Sequence, residues 1–237
     1  MKGHTYVGVS GFSYPKWKGT FYPKTLKPEE FLADYSAKLG SVEINSSFYG
    51  APKETMVKGW AEKTAEEFKF AFKAPQLVTH ITKLGKGSYE PANRFSKTLD
   101  LLGPRRGPVL FGLPPFLKED PKLLEDFLSN TSDIPDRVFE FRHESWLKDS
   151  TYRLLDANEA GLCIAETEDM APVFEVTGAF AYFRLRKDKY DSKAVDQWAK
   201  KIKDATRGLE ETFVYMRHDE TGENAVLAQG LAKLLRA

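Results

Sequence analysis

An α/β fold whose parallel sheet closes into a barrel is the architecture this sequence predicts, and the prediction rests on a recurring order, its count and the lack of any break. Short runs rich in β-branched and aromatic residues recur along the 237 residues, all but the sixth followed by a turn segment holding Gly, Pro or Ser and then by a stretch of helical period. The cycle repeats eight times, and eight units in roughly 250 residues is the usual size of a (β/α)8 barrel of the TIM type. No Pro- or Ser-rich linker, low-complexity tract or close internal repeat divides the chain, so residues 1–237 are read as a single domain. A doubly wound open sheet is the competing topology.

The units follow in order. TYVGVSG is strand-like, and in PEEFLADYSAKLG the residues Phe31, Leu32, Tyr35 and Leu39 share a helical face, with Gly40 as the stop signal. SVEINSSFYG precedes KETMVKGWAEKTA, whose Met56, Val57 and Trp60 can share one face. FKFAFKAP is the third strand, followed by a polar, Gly-containing loop and the helix of ANRFSKTLDLLG. GPVLFGLPP with KLLEDFLSN, and RVFEFRHESW with TYRLLDANEAG, make the fourth and fifth units. GLCIAETE is the sixth strand, but TEDMAPVFEVTGA after it has no helical period, which predicts an irregular connection there. AYFRLR with AVDQWAKKIKDA and ETFVYMRH with ENAVLAQGLAKLLRA complete the series.

Composition restricts the function. With 41% hydrophobic and 13% aromatic residues the chain can bury a sizeable core. A net charge of +1 does not support nucleic acid as a partner, because such partners leave a marked basic excess, although a local basic pocket stays open. The single cysteine, Cys163, lies in the apolar run GLCIA, where it reads as a small packed side chain and cannot close an internal disulfide. No run is long enough to span a bilayer, and the first residues pass directly into a strand pattern. These features predict a cytoplasmic protein with no membrane partner, and they leave the oligomeric state open.

The segment VFEFRHESW combines strand character with Glu140, Arg142, His143 and Glu144. Side chains alternate along a strand, so Phe139 and Phe141 face the helical shell while Glu140 and Arg142 point into the barrel near its C-terminal mouth. The same parity turns Glu43 and Asn45 inward opposite Val42 and Ile44, Lys73 inward opposite Phe70 and Phe72, and Tyr182, Arg184 and Arg186 inward opposite Phe183 and Leu185. Ser10 ends the first strand on the inner side with Gly8, and Glu166 ends the sixth. Buried charge costs several kcal/mol per ion unless paired or solvated. Mutual ion pairing that plugs the barrel explains any one of these residues; their accumulation at one end, where barrel active sites form, points to function.

These stretches carry a family resemblance. VGVSGFSYPKWKGTFYP, SVEINSSFYGAP, FKFAFKAP and FEFRHESW, in this order, resemble the Domain of Unknown Function 72, or YecE-like, family over nearly the whole chain. The resemblance implies a TIM barrel and maps that family's best-marked positions onto Ser10, Gly11, Trp17, Gly19, Tyr22, Pro23, Glu43, Asn45, Phe48, Tyr49, Lys73, Glu140, Arg142, Trp146 and Arg184. It brings no settled activity. The chain departs from the family pattern where a His-Gly pair usually follows the seventh strand, here Arg186 and Lys187, and where adjacent asparagines usually end the eighth, here Arg217 and His218.

The chemistry follows from residue types. Lys73, Arg142, Arg184 and Arg217 with Glu43, Glu140 and Glu166 give a slight inward excess of positive charge, which suits a phosphorylated, carboxylated or sugar-like anion held by Arg forks and a Lys point charge. Glu43, Glu140 and Glu166 are the catalytic candidates for acid/base work, with Glu140 or Glu43 preferred for handling the proton. Ser10, Tyr14, Asn45, Tyr49, Lys73, Arg142, His143, Trp146 and Arg184 are the candidates for substrate binding. The predicted function is an enzyme acting on a small anionic molecule at the barrel mouth, as a hydrolase or a lyase or isomerase. A non-catalytic anion- or nucleic-acid-binding barrel and a metal-dependent phosphodiesterase or nuclease are the alternatives. The sequence requires no cofactor: His80, His143 and His218 could join Glu43 or Glu166 around a divalent metal, but no HExxH or other close ligand spacing occurs. Nor is there a G-x-S-x-G elbow or a dinucleotide fingerprint. Gly85-Lys86-Gly87 reads as a flexible turn, Thr82–Asn93 as a surface loop, and Trp17 and Tyr22 as anchors for the first loop.

Overall fold

Strand and helix alternate as the pattern predicts in a computed structural model that describes residues 3–236. The strands are β1 (His4–Val9), β2 (Ser41–Ile44), β3 (Lys69–Lys73), β4 (Arg106–Gly112), β5 (Arg137–Glu140), β6 (Gly161–Glu166), β7 (Phe180–Leu185) and β8 (Glu211–Met216). The helices between and after them are α1 (Phe31–Lys38), α2 (Glu54–Glu62), α3 (Tyr89–Leu99), α4 (Pro121–Asn130), α5 (Asp149–Ala157), α6 (Ser192–Ala205) and α7 (Glu223–Arg236). Each strand pairs in parallel with its sequence neighbour from β2 through β8, and β8 pairs with β1.

Period-two alternation sorts the side chains into two layers. Phe70, Phe72, Phe139, Phe141, Phe183 and Leu185 pack outward against helix faces such as Leu124, Phe127 and Leu128 of α4 and Val195, Trp198 and Ile202 of α6. Ala71, Leu110, Val138, Cys163, Phe180, Tyr182, Phe213 and Tyr215 fill the barrel interior. Asp120 and Asp191 start α4 and α6, each carboxylate accepting from a first-turn N–H, at 3.0 and 2.7 Å. No helix forms between β6 and β7, where Pro172 and the missing apolar period leave an irregular connection tied down by the Thr177 hydroxyl donating to Ala160 O at 2.8 Å.

The barrel is nearly closed, and the remaining seam has a sequence cause. Between β1 and β2 the strands meet through one bridge, Ser10 with Glu43, and Gly11 N–H donates to Glu43 O at 2.9 Å. Lower down, the Tyr35 hydroxyl of α1 enters the seam: it accepts from Val9 N–H and donates to Ser41 O, both at 2.9 Å. Gly8 permits the close approach, because a Cβ there would lie 2.0 Å from Ser41 O. Tyr35→Phe therefore leaves a buried donor and a buried acceptor unpaired. A loss of about 1–3 kcal/mol is expected by chemical denaturation, and an unchanged midpoint would show that water closes the seam equally well.

The connection after β3 differs from the expected surface loop. A π-helical turn covers Leu77–Ile81 and α3 begins at Tyr89, inside the stretch read as a loop. Leu84 and Ala92 are buried, and Ser88 Oγ donates to Gly85 O at 2.6 Å. The stretch looks polar because few of its residues are apolar, but those few are spaced to anchor it.

Candidate functional site

Three strands deliver the central ion cluster. Glu43 lies on the inner side one residue from the end of β2, Glu140 ends β5, and Arg184 lies one residue from the end of β7. Arg184 donates to Glu43 through two nitrogens, Nε to Oε1 and Nη2 to Oε2, both at 2.8 Å, and its Nη1 donates to Glu140 Oε2. Tyr182, two residues earlier on the same face, donates its hydroxyl to Glu43 Oε1 at 2.9 Å. The side chains of Arg184 and Glu43 are 2% and 0% exposed. Burial alone would raise both carboxyl pKa values, but the guanidiniums of Arg184 and Arg186 outweigh it at Glu43, and those of Arg184, Arg142 and Arg186 bring Glu140 down to about 2. Both glutamates are thus held as carboxylates, and Arg184 is saturated by them.

The mouth above this cluster has spare cations. Arg142, 36% exposed, donates Nε to Glu140 Oε1 at 3.1 Å and leaves its terminal nitrogens free of protein acceptors among the described residues. Lys73 at the end of β3 is half-buried, with Nζ 3.9 Å from the centre of the Phe48 ring. Burial, with the charges of Arg184 and Arg142, lowers its pKa to about 8. Arg186 continues the inward parity of Tyr182 and Arg184; burial and Arg184 lower its pKa to about 10. Among the described residues no carboxylate comes within 4.0 Å of Lys73 or Arg186. Four cations therefore face two carboxylates.

A second group borders Arg186 where β1 meets β8. Ser10 Oγ accepts from Arg186 Nη1 at 3.3 Å and from His218 N–H at 3.0 Å, and lies 3.2 Å from His218 Nδ1. With both lone pairs occupied, the hydroxyl donates to Nδ1, so His218 is neutral; burial, Arg186 and Arg217 lower its pKa in agreement. Tyr14 stacks on the His218 ring at 4.8 Å and donates to Ser10 O at 2.9 Å. Trp17 and Tyr22 are buried and anchor the first loop, Trp17 through Nε1 to Asp219 O at 2.8 Å and Tyr22 through its hydroxyl to Phe12 O.

The cluster thus brings together Glu43, Glu140, Lys73, Arg142 and Arg184, with Ser10 and Tyr14 alongside through Arg186. Glu166 is not among them. On β6 the inward residues are Cys163 and Ala165, so Glu166 turns to the shell, accepting from Tyr190 at 2.9 Å and Trp198 at 3.1 Å and pairing with Lys187 at 3.1 Å. Arg217, also expected inward, pairs with Asp188 instead. His143 caps a short turn, its Nδ1 accepting from Ser145 N–H at 3.2 Å, and Trp146 packs on Phe141 with centroids 4.7 Å apart. Asn45 Oδ1 is buried without a hydrogen-bond partner, and Tyr49 is 80% exposed. Arg186, His218 and Phe48 join the site although none stands among the catalytic or substrate-binding candidates; for Arg186 the continued strand parity was the available signal. No group of three or more metal-ligating side chains exists among the described residues, and no helix there is long and apolar enough to cross a membrane. A cleft of about 930 Å³ opens at the opposite, N-terminal end of the barrel, lined in part by Tyr6, Phe68, Lys203 and Arg207. Its size exceeds its chemistry: the buried ion cluster lies at the other end.

Comparison with known proteins agrees with the resemblance. Over 109 residues the chain is 29% identical to UPF0759 protein YecE of Escherichia coli (strain K12), covering 46% of this chain and 37% of that protein. Over 155 residues it is 29% identical to UPF0759 protein YunF of Bacillus subtilis (strain 168), covering 62% of this chain and 54% of that protein. The matches thus span between about a third and about half of these relatives' lengths. The crystal structure of a DUF72 family protein from Thermotoga maritima MSB8 matches with a TM-score of 0.81 at 27% identity, covering 98% of this chain and 99% of that one. D-psicose 3-epimerase from Clostridium cellulolyticum H10, solved with D-tagatose, matches with a TM-score of 0.56 at 10% identity over 98% of each chain, a likeness of fold alone. The model for the protein of unknown function DUF72 matches residues 6–237, and the chain belongs to that family.

Proposed function

We propose that this protein is an enzyme that binds a small anionic molecule, phosphorylated or carboxylated, at the C-terminal mouth of the barrel and acts on it by proton transfer. The observation that carries the reading is the division of the ion cluster into a saturated half and an unsaturated half. Glu43, Arg184 and Glu140 satisfy one another, while Arg142, Arg186 and Lys73 retain donors and positive charge. Half-buried cations whose donors are not all taken are costly, and an anion that completes them relieves that cost. Arg142 and Arg186 hold the anion, and the two glutamates fix Arg184. Proton handling moves from the glutamates to Lys73, whose pKa of about 8 lies near the working pH whereas that of Glu140 does not.

A thermal-shift screen of the wild type, Arg142→Ala and Arg186→Ala against phosphorylated metabolites, carboxylates, uncharged sugars and short oligonucleotides tests this. A ligand at about 100 times its Kd stabilises by roughly 2.7 kcal/mol, a shift of several degrees in a chain of this size. One class of small anion is expected to shift the wild type, with affinity falling about ten- to a hundredfold in each variant. Stabilisation by uncharged sugars alone, undiminished in both variants, would overturn the reading.

A further inference from the structure

We propose that Lys73 is an imine-forming amine, seated on Phe48 in the barrel mouth beside Arg142 and Arg184, and that the bound anion carries an aldehyde or ketone within its reach. The inference rests on the reading of the mouth as an anion site and adds the reactive group. Lys73 ends β3 with the inward parity of Ala71, so it faces the lumen rather than the shell. Its nitrogen lies 3.9 Å from the ring centre of Phe48, a cation–π seat that gives no hydrogen-bond acceptor. An ammonium kept only for charge balance would be expected beside a carboxylate, yet Glu140 and Glu43 both spend their oxygens on arginines and tyrosine.

The charged and titratable groups that face it are Arg184, Arg142, Glu140 and Glu43 across the lumen, and His80, whose ring packs on Phe48 at 4.9 Å. Burial, with the charges of Arg184 and Arg142, outweighs the opposing pull of Glu140 and Glu43 and lowers the pKa of Lys73 to about 8, so about a tenth of the amine is neutral at pH 7, against about one part in three thousand at the ordinary value. The neutral amine adds its lone pair to the carbonyl carbon, and the C=O π pair moves to oxygen, which takes a proton. Loss of that oxygen as water, with the remaining N–H proton released, leaves the imine. Water is the only other product and no oxidant or reductant is consumed. Protonated, the imine draws electrons from the bond α to it, which is the use of such a group next to cations that hold the substrate's anionic end.

Reductive methylation of the full chain with formaldehyde and cyanoborohydride at pH 7, followed by peptide mapping, tests the amine without requiring the anion site. Lys73 is expected to be labelled at least about ten times faster than surface lysines, following its larger neutral fraction. A rate equal to or below theirs overturns the inference. Pyruvate, glyoxylate, dihydroxyacetone phosphate and ribose 5-phosphate are then trapped singly with borohydride. A single adduct on Lys73, suppressed by inorganic phosphate and missing in Lys73→Arg, supports both readings. Rapid methylation of Lys73 in a protein that no anion stabilises would leave the amine and remove the anion site. Anion-induced stabilisation with Lys73 unlabelled by formaldehyde would do the reverse.

Discussion

Arg184→Met is expected to lower stability by about 3–5 kcal/mol, the usual result of removing one partner from a buried ionic network. For a chain of this size that is a fall in Tm of roughly 10 °C. The variant keeps an apolar stem, removes the guanidinium and leaves Glu43 and Glu140, whose side chains are 0% and 3% exposed, facing each other's charge. Tyr182 still donates to Glu43 and Arg142 to Glu140, so the deficit is charge rather than packing. The pH dependence separates the two explanations. In the variant burial raises both carboxyl pKa values above those of the unfolded chain, so the folded state binds more protons and gains stability as the pH falls from neutral towards about 5. Simple loss of packing would lower stability equally at every pH.

The wild type is expected to respond to acid with the opposite sign. Glu140 has a folded pKa of about 2 against an ordinary value of 4.5, and Glu43 is lowered in the same direction. A depressed carboxyl contributes stability that is fully present above the unfolded pKa and is lost as pH falls towards the folded one. Glu140 alone accounts for about 3 kcal/mol, lost progressively between about pH 5 and pH 2. Lys73 acts at the other end of the scale. Its folded pKa is below the unfolded one, so between about pH 8 and pH 10.5 the unfolded chain holds more protons and stability from this group rises with pH. Urea midpoints should be flat near neutrality and fall steeply below pH 4.5, and Glu140→Gln should flatten that fall while lowering the neutral plateau. An acid limb of equal steepness in Glu140→Gln would show that surface carboxylates, not the cluster, govern acid sensitivity.

Strand parity made most of the cluster legible in the sequence. Wherever one face of a strand is bulky and apolar, as with Phe70 and Phe72, Phe139 and Phe141, or Phe183 and Leu185, the other face is fixed, and Lys73, Glu140 and Arg184 were placed correctly. The rule fails on β6, where Leu162 and Ile164 outward and Cys163 and Ala165 inward are apolar on both sides, so nothing in the alternation assigns Glu166 a face. The seam was hidden for a different reason. Tyr35 reads as one apolar residue of an amphipathic helix, and only the close approach at Gly8 shows that its hydroxyl replaces part of a strand ladder. His143 and Trp146 lie just past a strand end, where a short turn redirects the chain and the period of two no longer applies.

Arg186 shows how a departure from a family pattern becomes informative once placed in space. In the sequence, strand parity turns it inward and the family pattern marks it as standing where histidine is usual; the structure sets it beside Ser10 as a half-buried cation with no carboxylate within 4.0 Å among the described residues. Whether the mouth takes an anion is decided most directly by diffraction from crystals soaked in tungstate, a heavy tetrahedral analogue of phosphate. The account predicts an anomalous peak between Arg142, Arg186 and Lys73, missing in Arg142→Ala crystals. A peak confined to the N-terminal cleft near Lys203 and Arg207, with the mouth empty, would contradict it.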